Sequence, residues 1–217
     1  LELVRNDLVQ LMEQTGELEA YNRRVLEAVS RVWSATNAPG LVEKDAATFR
    51  ALTLLSQRRT VRFPKAAYEE LVATGNLRAL SDPGLRAALV RFYEELGRDE
   101  EIILRNNEAF TDVLLNRQLV GEGLIVNLPA GGTDFSLELQ SEAEALGSEY
   151  LPVGPTYQGR LWALPSGHPD RVRLLSAMAS VGTAAAVHLF LARRAREGAA
   201  ALIREIDATV TSQPAYD

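Results

Sequence analysis

Val4, Leu8, Leu11, Thr15, Leu18, Asn22, Val25, Val29 and Val32 follow one another in alternating steps of four and three. That spacing holds one stripe on one side of a helix, so the chain opens as a single long helix with an a/d seam sustained over about four heptads. Thr15 and Asn22 are the polar members of the seam. Polar seam residues fix register at some cost in stability; the other reading of the same stretch turns Tyr21 or Leu26 inward and leaves Asn22 at the edge. A helix of this kind serves as a stalk continuing a membrane helix or as the first rod of an antiparallel bundle. The shorter helical patterns that follow favour the rod.

Asn37-Ala38-Pro39-Gly40 interrupts the periodicity, and Asp45 is expected to cap a second helix running to about Gln57 with Phe49, Leu52 and Leu55 on one side. A third, short helix is predicted from Pro64 to Ala73. Gly75-Asn76 stops it in a left-handed turn, and Ser81-Asp82-Pro83 supplies a capping side chain followed by a first-turn proline. The fourth helix then runs from Pro83 to about Leu119, with Leu85, Leu89, Phe92, Leu96 and Ile103 apolar and a bend expected at Gly97. Gly121-Glu122-Gly123 ends that run. Leu124–Leu128 and Phe135–Leu139 read as two short strands around Pro129-Ala130-Gly131-Gly132, which admits a small β-hairpin. Ser141 to Gly167 is irregular and rich in glycine, proline and aromatics. Pro169 opens a last helix, from about Asp170 to Thr209, whose alanine-rich middle suits close approach to other helices. The expected fold is all-α: an antiparallel bundle of long helices in one domain over 1–217, with a helix–turn–helix unit and an irregular insert at 121–168.

Leu174 to Ala192 carries no formal charge over a membrane-spanning length, but it holds Ser176, Ser180, Gly182, Thr183, His188 and many alanines. Those residues contribute little transfer energy, so a buried bundle helix is the expected role. Length and composition agree with a self-sufficient core: 217 residues, 47% hydrophobic and 24% charged. The net charge of −6 disfavours a phosphate-binding surface, so no nucleic-acid partner is expected. With no cysteine in the chain, disulfides, thiolate metal sites and cysteine nucleophiles are excluded. The chain starts at Leu1 and is periodic from that residue, which leads us to expect a signal or membrane helix upstream.

Catalytic chemistry finds little support. His168 and His188 stand far apart, outside any His-Glu-x-x-His pattern, and no Gly-x-Ser-x-Gly elbow is present. His188 reads as a core or edge residue of the last helix and His168 as a residue at its start. Gly131-Gly132-Thr133-Asp134 lacks the lysine of a phosphate loop and reads as a turn. Asp99-Glu100-Glu101, between Arg98 and Arg105, reads as a solvated face with i,i+4 pairs, and Glu94 and Glu95 need no metal to explain them. Arg58-Arg59 follows a helix C-terminus, where positive charge is stabilising. No catalytic residue, metal or cofactor is expected. Tyr150, Tyr157, Arg160, Trp162 and His168 are the candidate ligand or partner contacts, since aromatics with a cation provide large rigid area with polar tips. The competing reading has Trp162 and the tyrosines pinning the loop to the bundle.

Phe63-Pro64, Tyr68-Glu69-Glu70-Leu71, Gly75-Asn76-Leu77, Leu80-Ser81-Asp82, Leu85-Arg86 and Phe92-Tyr93 form one phrase. It resembles a bacterial family of unknown function: single-pass membrane proteins with a short basic N-terminus, one membrane helix and a helical extracytoplasmic domain. Tyr68, Gly75, Asn76, Leu80, Arg86 and Tyr93 carry the signature, and no catalytic or binding role transfers with them. Gly75 is expected at positive φ and Arg86 as a brace across the turn. The resemblance implies an inner-membrane protein whose domain faces the periplasm, anchored by a helix upstream of this chain. The function expected is non-catalytic, through a protein partner or self-association as a scaffold or accessory subunit. The alternative is a sensory input domain that binds a small ligand between helices or under the aromatic loop.

Overall fold

A computed structural model describes residues 1–37, 46–121 and 167–211. Helices account for 89% of them and no strand occurs among them, which fits the all-α class. The elements are α1 (Glu2–Asn37), α2 (Ala46–Ser56), α3 (Ala66–Ala73), α4 (Asn76–Ala79), α5 (Pro83–Asn106), a π-helix (Asn107–Gly121) and α6 (Pro169–Thr211). The expected hairpin at 124–139 and the cap at Asp45 lie outside the described residues.

The seam of α1 is buried along its length. Val4, Leu8, Leu11, Thr15, Leu18, Asn22, Val25 and Val32 are all buried, and Val29 is half-buried. Both polar members are inside: the Thr15 hydroxyl donates to the Met12 carbonyl at 2.9 Å, and the Asn22 amide donates to the Leu18 carbonyl at 2.8 Å. Each side chain satisfies its hydrogen bond on its own helix, which removes most of the cost of burying it. Tyr21 is buried beside Asn22 rather than instead of it.

By compactness the chain forms two units. The first comprises Leu1–Asn22, Thr60–Arg105 and Ala186–Asp217; the second comprises Arg23–Arg59 and Asn106–Ala185. In the first, one core gathers Val4, Leu8, Leu11 and Leu18 of α1, Leu85, Leu89, Tyr93, Leu96 and Ile103 of α5, Leu191 to Ile206 of α6, and Phe63. Tyr93 is buried, and Phe92, one of the apolar positions of the helix, is half-buried and meets its ring edge-on at a centroid separation of 5.3 Å. α5 begins where its sequence says: Asp82 Oδ1 accepts from the Gly84 amide at 2.7 Å and the Leu85 amide at 3.2 Å, a cap of about 1 kcal/mol. It continues as α-helix through Gly97.

In the second unit, α2 packs against the π-helix. Leu52 and Leu55 of α2 are buried, as are Asn107, Thr111 and Leu115. An α-helix was expected through Leu119, and the lateral contacts explain the change of register. Asn107 Nδ2 donates to the Arg59 carbonyl at 3.0 Å, Asn116 Nδ2 to the Ser56 carbonyl at 3.0 Å, and Arg58 pairs with Asp112 at 2.5 Å. Asn107 and Asn116 would stand on opposite faces of an α-helix, about two and a half turns apart. The wider i→i+5 winding brings both amides round to the C-terminal end of α2.

α6 is the one helix among the described residues long and apolar enough to cross a membrane. Its most apolar 18-residue window has a mean hydropathy of 1.7, and half of that window is buried. Leu174, Ala177, Met178, Val181, Ala184, Ala185 and His188 supply the covered stripe.

Candidate functional site

Unit 1 carries buried charge where the sequence suggested a solvated face. Asp99 is 2% exposed and pairs with Arg194 of α6. Burial pushes its carboxyl above the ordinary range, and Arg194 pulls it part of the way back. Glu19, which follows the seam residue Leu18, is also buried; its carboxylate lies 3.4 Å from Arg193 and 2.9 Å from Arg196. Arg5 and Asp207 close a third pair between α1 and α6 at 2.8 Å, exposed to solvent. Of the acidic run at 99–101, only Glu101 keeps the expected role, paired with Arg105 one turn on.

Glu100 faces residues 60–65 instead. Its Oε1 accepts from the Phe63 amide at 2.5 Å and its Oε2 lies 3.3 Å from Lys65 Nζ. Asp7 of α1 does the corresponding work one turn further on, accepting from the Ala67 amide at 2.9 Å. Lys65, at the N-cap of α3, makes no capping bond with its own side chain, so the carboxylate that complements the helix start arrives from another element. Tyr68 stacks on Tyr93, centroids 4.1 Å apart and planes within 8°. Burial raises both phenols above their ordinary pKa; Glu94 adds to the effect at Tyr68, and Asp7 and Tyr68 add to it at Tyr93.

The residues of the family-like phrase take structural places. Gly75 has φ +73, a left-handed conformation that favours glycine, and Asn76 and Leu80 bracket the short α4. Arg86 donates through Nη1 to the Arg78 carbonyl at 3.1 Å and so braces the turn. Tyr68 and Tyr93 meet in the stack. No sequence rule pairs Asp7 with Ala67, Asp99 with Arg194, or Glu19 with Arg193 and Arg196. The one local signal was the spacing of the two arginines, three apart on one helix.

The five aromatic and basic candidates are only partly placed. Tyr150, Tyr157, Arg160 and Trp162 lie outside the described residues. His168 sits at the start of α6, as expected. Its Nδ1 accepts from the Asp170 amide at 3.2 Å and its carbonyl accepts from the Val172 amide at 3.0 Å, so the imidazole serves as an N-cap. His188 is 4% exposed and lies in the covered stripe of α6, where burial lowers its pKa to about 4.

Concavities open on unit 1 among the described residues. A cleft of about 400 Å³ is lined by Thr60, Val61 and Arg62 with Gly97, Glu100 and Leu104 of α5. A shallow groove of about 660 Å³ lies between the start of α5, with Gly84, Ala88 and Arg91, and the end of α6, with Glu205 and Thr209. Among the described residues no three metal-ligating side chains converge. Large apolar side chains stand at the surface: Ile102 and Leu104 on α5, Val187 and Phe190 on α6. Phe190 is 62% exposed, and the Arg194 guanidinium lies 5.8 Å from its ring centre. Comparison with protein-family models, with curated proteins and with solved structures gives no match.

Proposed function

We propose that this chain is the non-catalytic helical domain of a single-pass bacterial membrane protein, facing the periplasm and acting through protein–protein contact as a scaffold or accessory subunit. The observation that carries this reading is Phe190. An aromatic ring left largely in water, with an arginine over one face and Val187 one turn below, has the composition of an interface anchor. The phrase from Phe63 to Tyr93 adds weight through the family it resembles. The paired ends of α1 and α6, Arg5 with Asp207 and Glu19 with Arg193, support an antiparallel arrangement of these two helices in unit 1. On this reading α6 is a bundle helix and the anchor lies upstream.

Site-specific photo-cross-linking in the full-length membrane protein tests it. A probe at Phe190 is expected to give a discrete adduct, a probe at Arg91 none, and Phe190→Asp is expected to abolish co-purification of the protein identified in that adduct. Equal labelling from both positions, or none from Phe190, would overturn the reading. A second reading, a sensory input domain, is favoured by the cleft beside Thr60–Arg62, whose volume falls within the range of small-ligand pockets. A metabolite held there at about 100 times its dissociation constant would add about 2.7 kcal/mol, visible as a rise in Tm.

A further inference from the structure

The segment from Thr60 to Leu80 covers part of unit 1 while burying little of itself. Phe63 is its one buried residue, and α3 and α4 bury none. Val61, Tyr68, Leu71, Leu77 and Leu80 touch the core but stay half-buried. Much of what holds the segment is polar and comes from α1 and α5: Asp7 on the Ala67 amide, Glu100 on the Phe63 amide and Lys65, Arg86 on the Arg78 carbonyl. Packing beneath it is incomplete. The 400 Å³ cleft runs along its first residues, and the hydroxyl of Tyr93, whose ring stacks on Tyr68, is buried with no hydrogen-bond partner among the described residues.

Segments with few buried apolar contacts open at lower free energy than the core, and they open as contiguous units. Here the start of α3 is capped by a residue sixty positions away, so that helix keeps its cap only while docked. We infer that residues 60–80 form a strap that releases from α1 and α5 as one unit, with Asp7 and Glu100 as its two latches. Release withdraws Phe63 and Tyr68 together and uncovers Tyr93 on α5, while the packing of α1, α5 and α6 on one another is kept.

Hydrogen exchange read by mass spectrometry on the intact chain tests this. In the wild type, the hydrogen-bonded amides of Glu69, Thr74, Gly75 and Arg78 are expected to exchange with one common opening constant, faster than those of Leu89 to Leu96. Asp7→Ala removes the acceptor of the Ala67 amide. It is expected to speed all four amides by the same factor, about tenfold for a lost cap, with Leu89–Leu96 unchanged. An effect confined to the first turn of α3 would overturn the inference, as would an equal rise across α5. Because the chain has no cysteine, Leu77→Cys gives a single thiol reporter. Its labelling rate is expected to rise by a similar factor when Glu100→Ala is added, and an unchanged rate would overturn the role of Glu100 as a latch.

Discussion

A single imidazole makes the stability of this chain sensitive to mild acid. The pKa of His188 falls from 6.5 to about 4 on burial, so between those values the unfolded chain binds a proton that the folded chain does not. Stability contributed by neutral His188 is therefore fully present above pH 6.5 and is lost as pH falls toward 4, by about 3 kcal/mol across the window. Urea unfolding at pH 7 and pH 4.5 is expected to show a smaller loss for His188→Gln than for the wild type. Asp99 has the opposite sign. Its carboxyl is raised by burial, so the folded state holds the proton more tightly and the contribution of Asp99 declines as pH rises through the raised value. Asp99→Asn is expected to lose the Arg194 pair at both pH values and to compare with the wild type less favourably at pH 4 than at pH 7. Denaturant midpoints at the two pH values check this. The sequence left His188 as a core or edge residue of the last helix, since it lacks any motif partner, and burial decides for the core. Asp99 was illegible, since a carboxylate in the run Asp99-Glu100-Glu101 looks solvated until Arg194 is placed against it.

Between helices, glycine decides how closely two elements approach. A methyl group on Gly198 of α6 would stand 2.8 Å from Phe92 Cε2 of α5, inside contact distance, whereas one on Gly16 of α1 would meet nothing within 4 Å. Both positions are helical, so alanine gains up to about 1 kcal/mol in propensity at each. Gly16→Ala is expected to keep that gain and raise Tm. Gly198→Ala is expected to lose it and about 1 kcal/mol more to displacement of the Phe92 ring, lowering Tm in the same assay. Most elements were legible from periodicity and punctuation: the seam of α1, the stop at Gly75, the cap at Asp82. The π-helix was not, because nothing local in Asn107–Gly121 forbids α-helix. Its register follows from where Ser56 and Arg59 present their carbonyls. The start of α3 was placed two residues early, at Pro64, because its cap comes from Asp7 on α1 and not from a neighbouring residue.

For the whole molecule, helical periodicity pointed to the class and left the arrangement to long-range contacts. α6 passes a membrane test on length and apolarity, yet half of its most apolar window is covered by the protein itself. The purified chain is accordingly expected to stay with the soluble fraction when floated with vesicles of neutral and anionic lipid. Recovery with the vesicles would show that α6 can leave its packing for lipid. The candidate contacts at Tyr150, Tyr157, Arg160 and Trp162 stay proposals from composition, whereas Phe190 came into view only once its exposure was known.

The ion pair between Arg5 and Asp207 joins residues 202 positions apart, and the unit 1 core draws Leu191 to Ile206 onto the seam of α1. During synthesis, Val4, Leu8, Leu11 and Leu18 therefore emerge long before the residues that cover them. Until residues 191–206 have been made, that apolar stripe lacks its α6 partners and is exposed to aggregation or chaperone capture. Contacts of such sequence separation are expected to make the closing of this core slow.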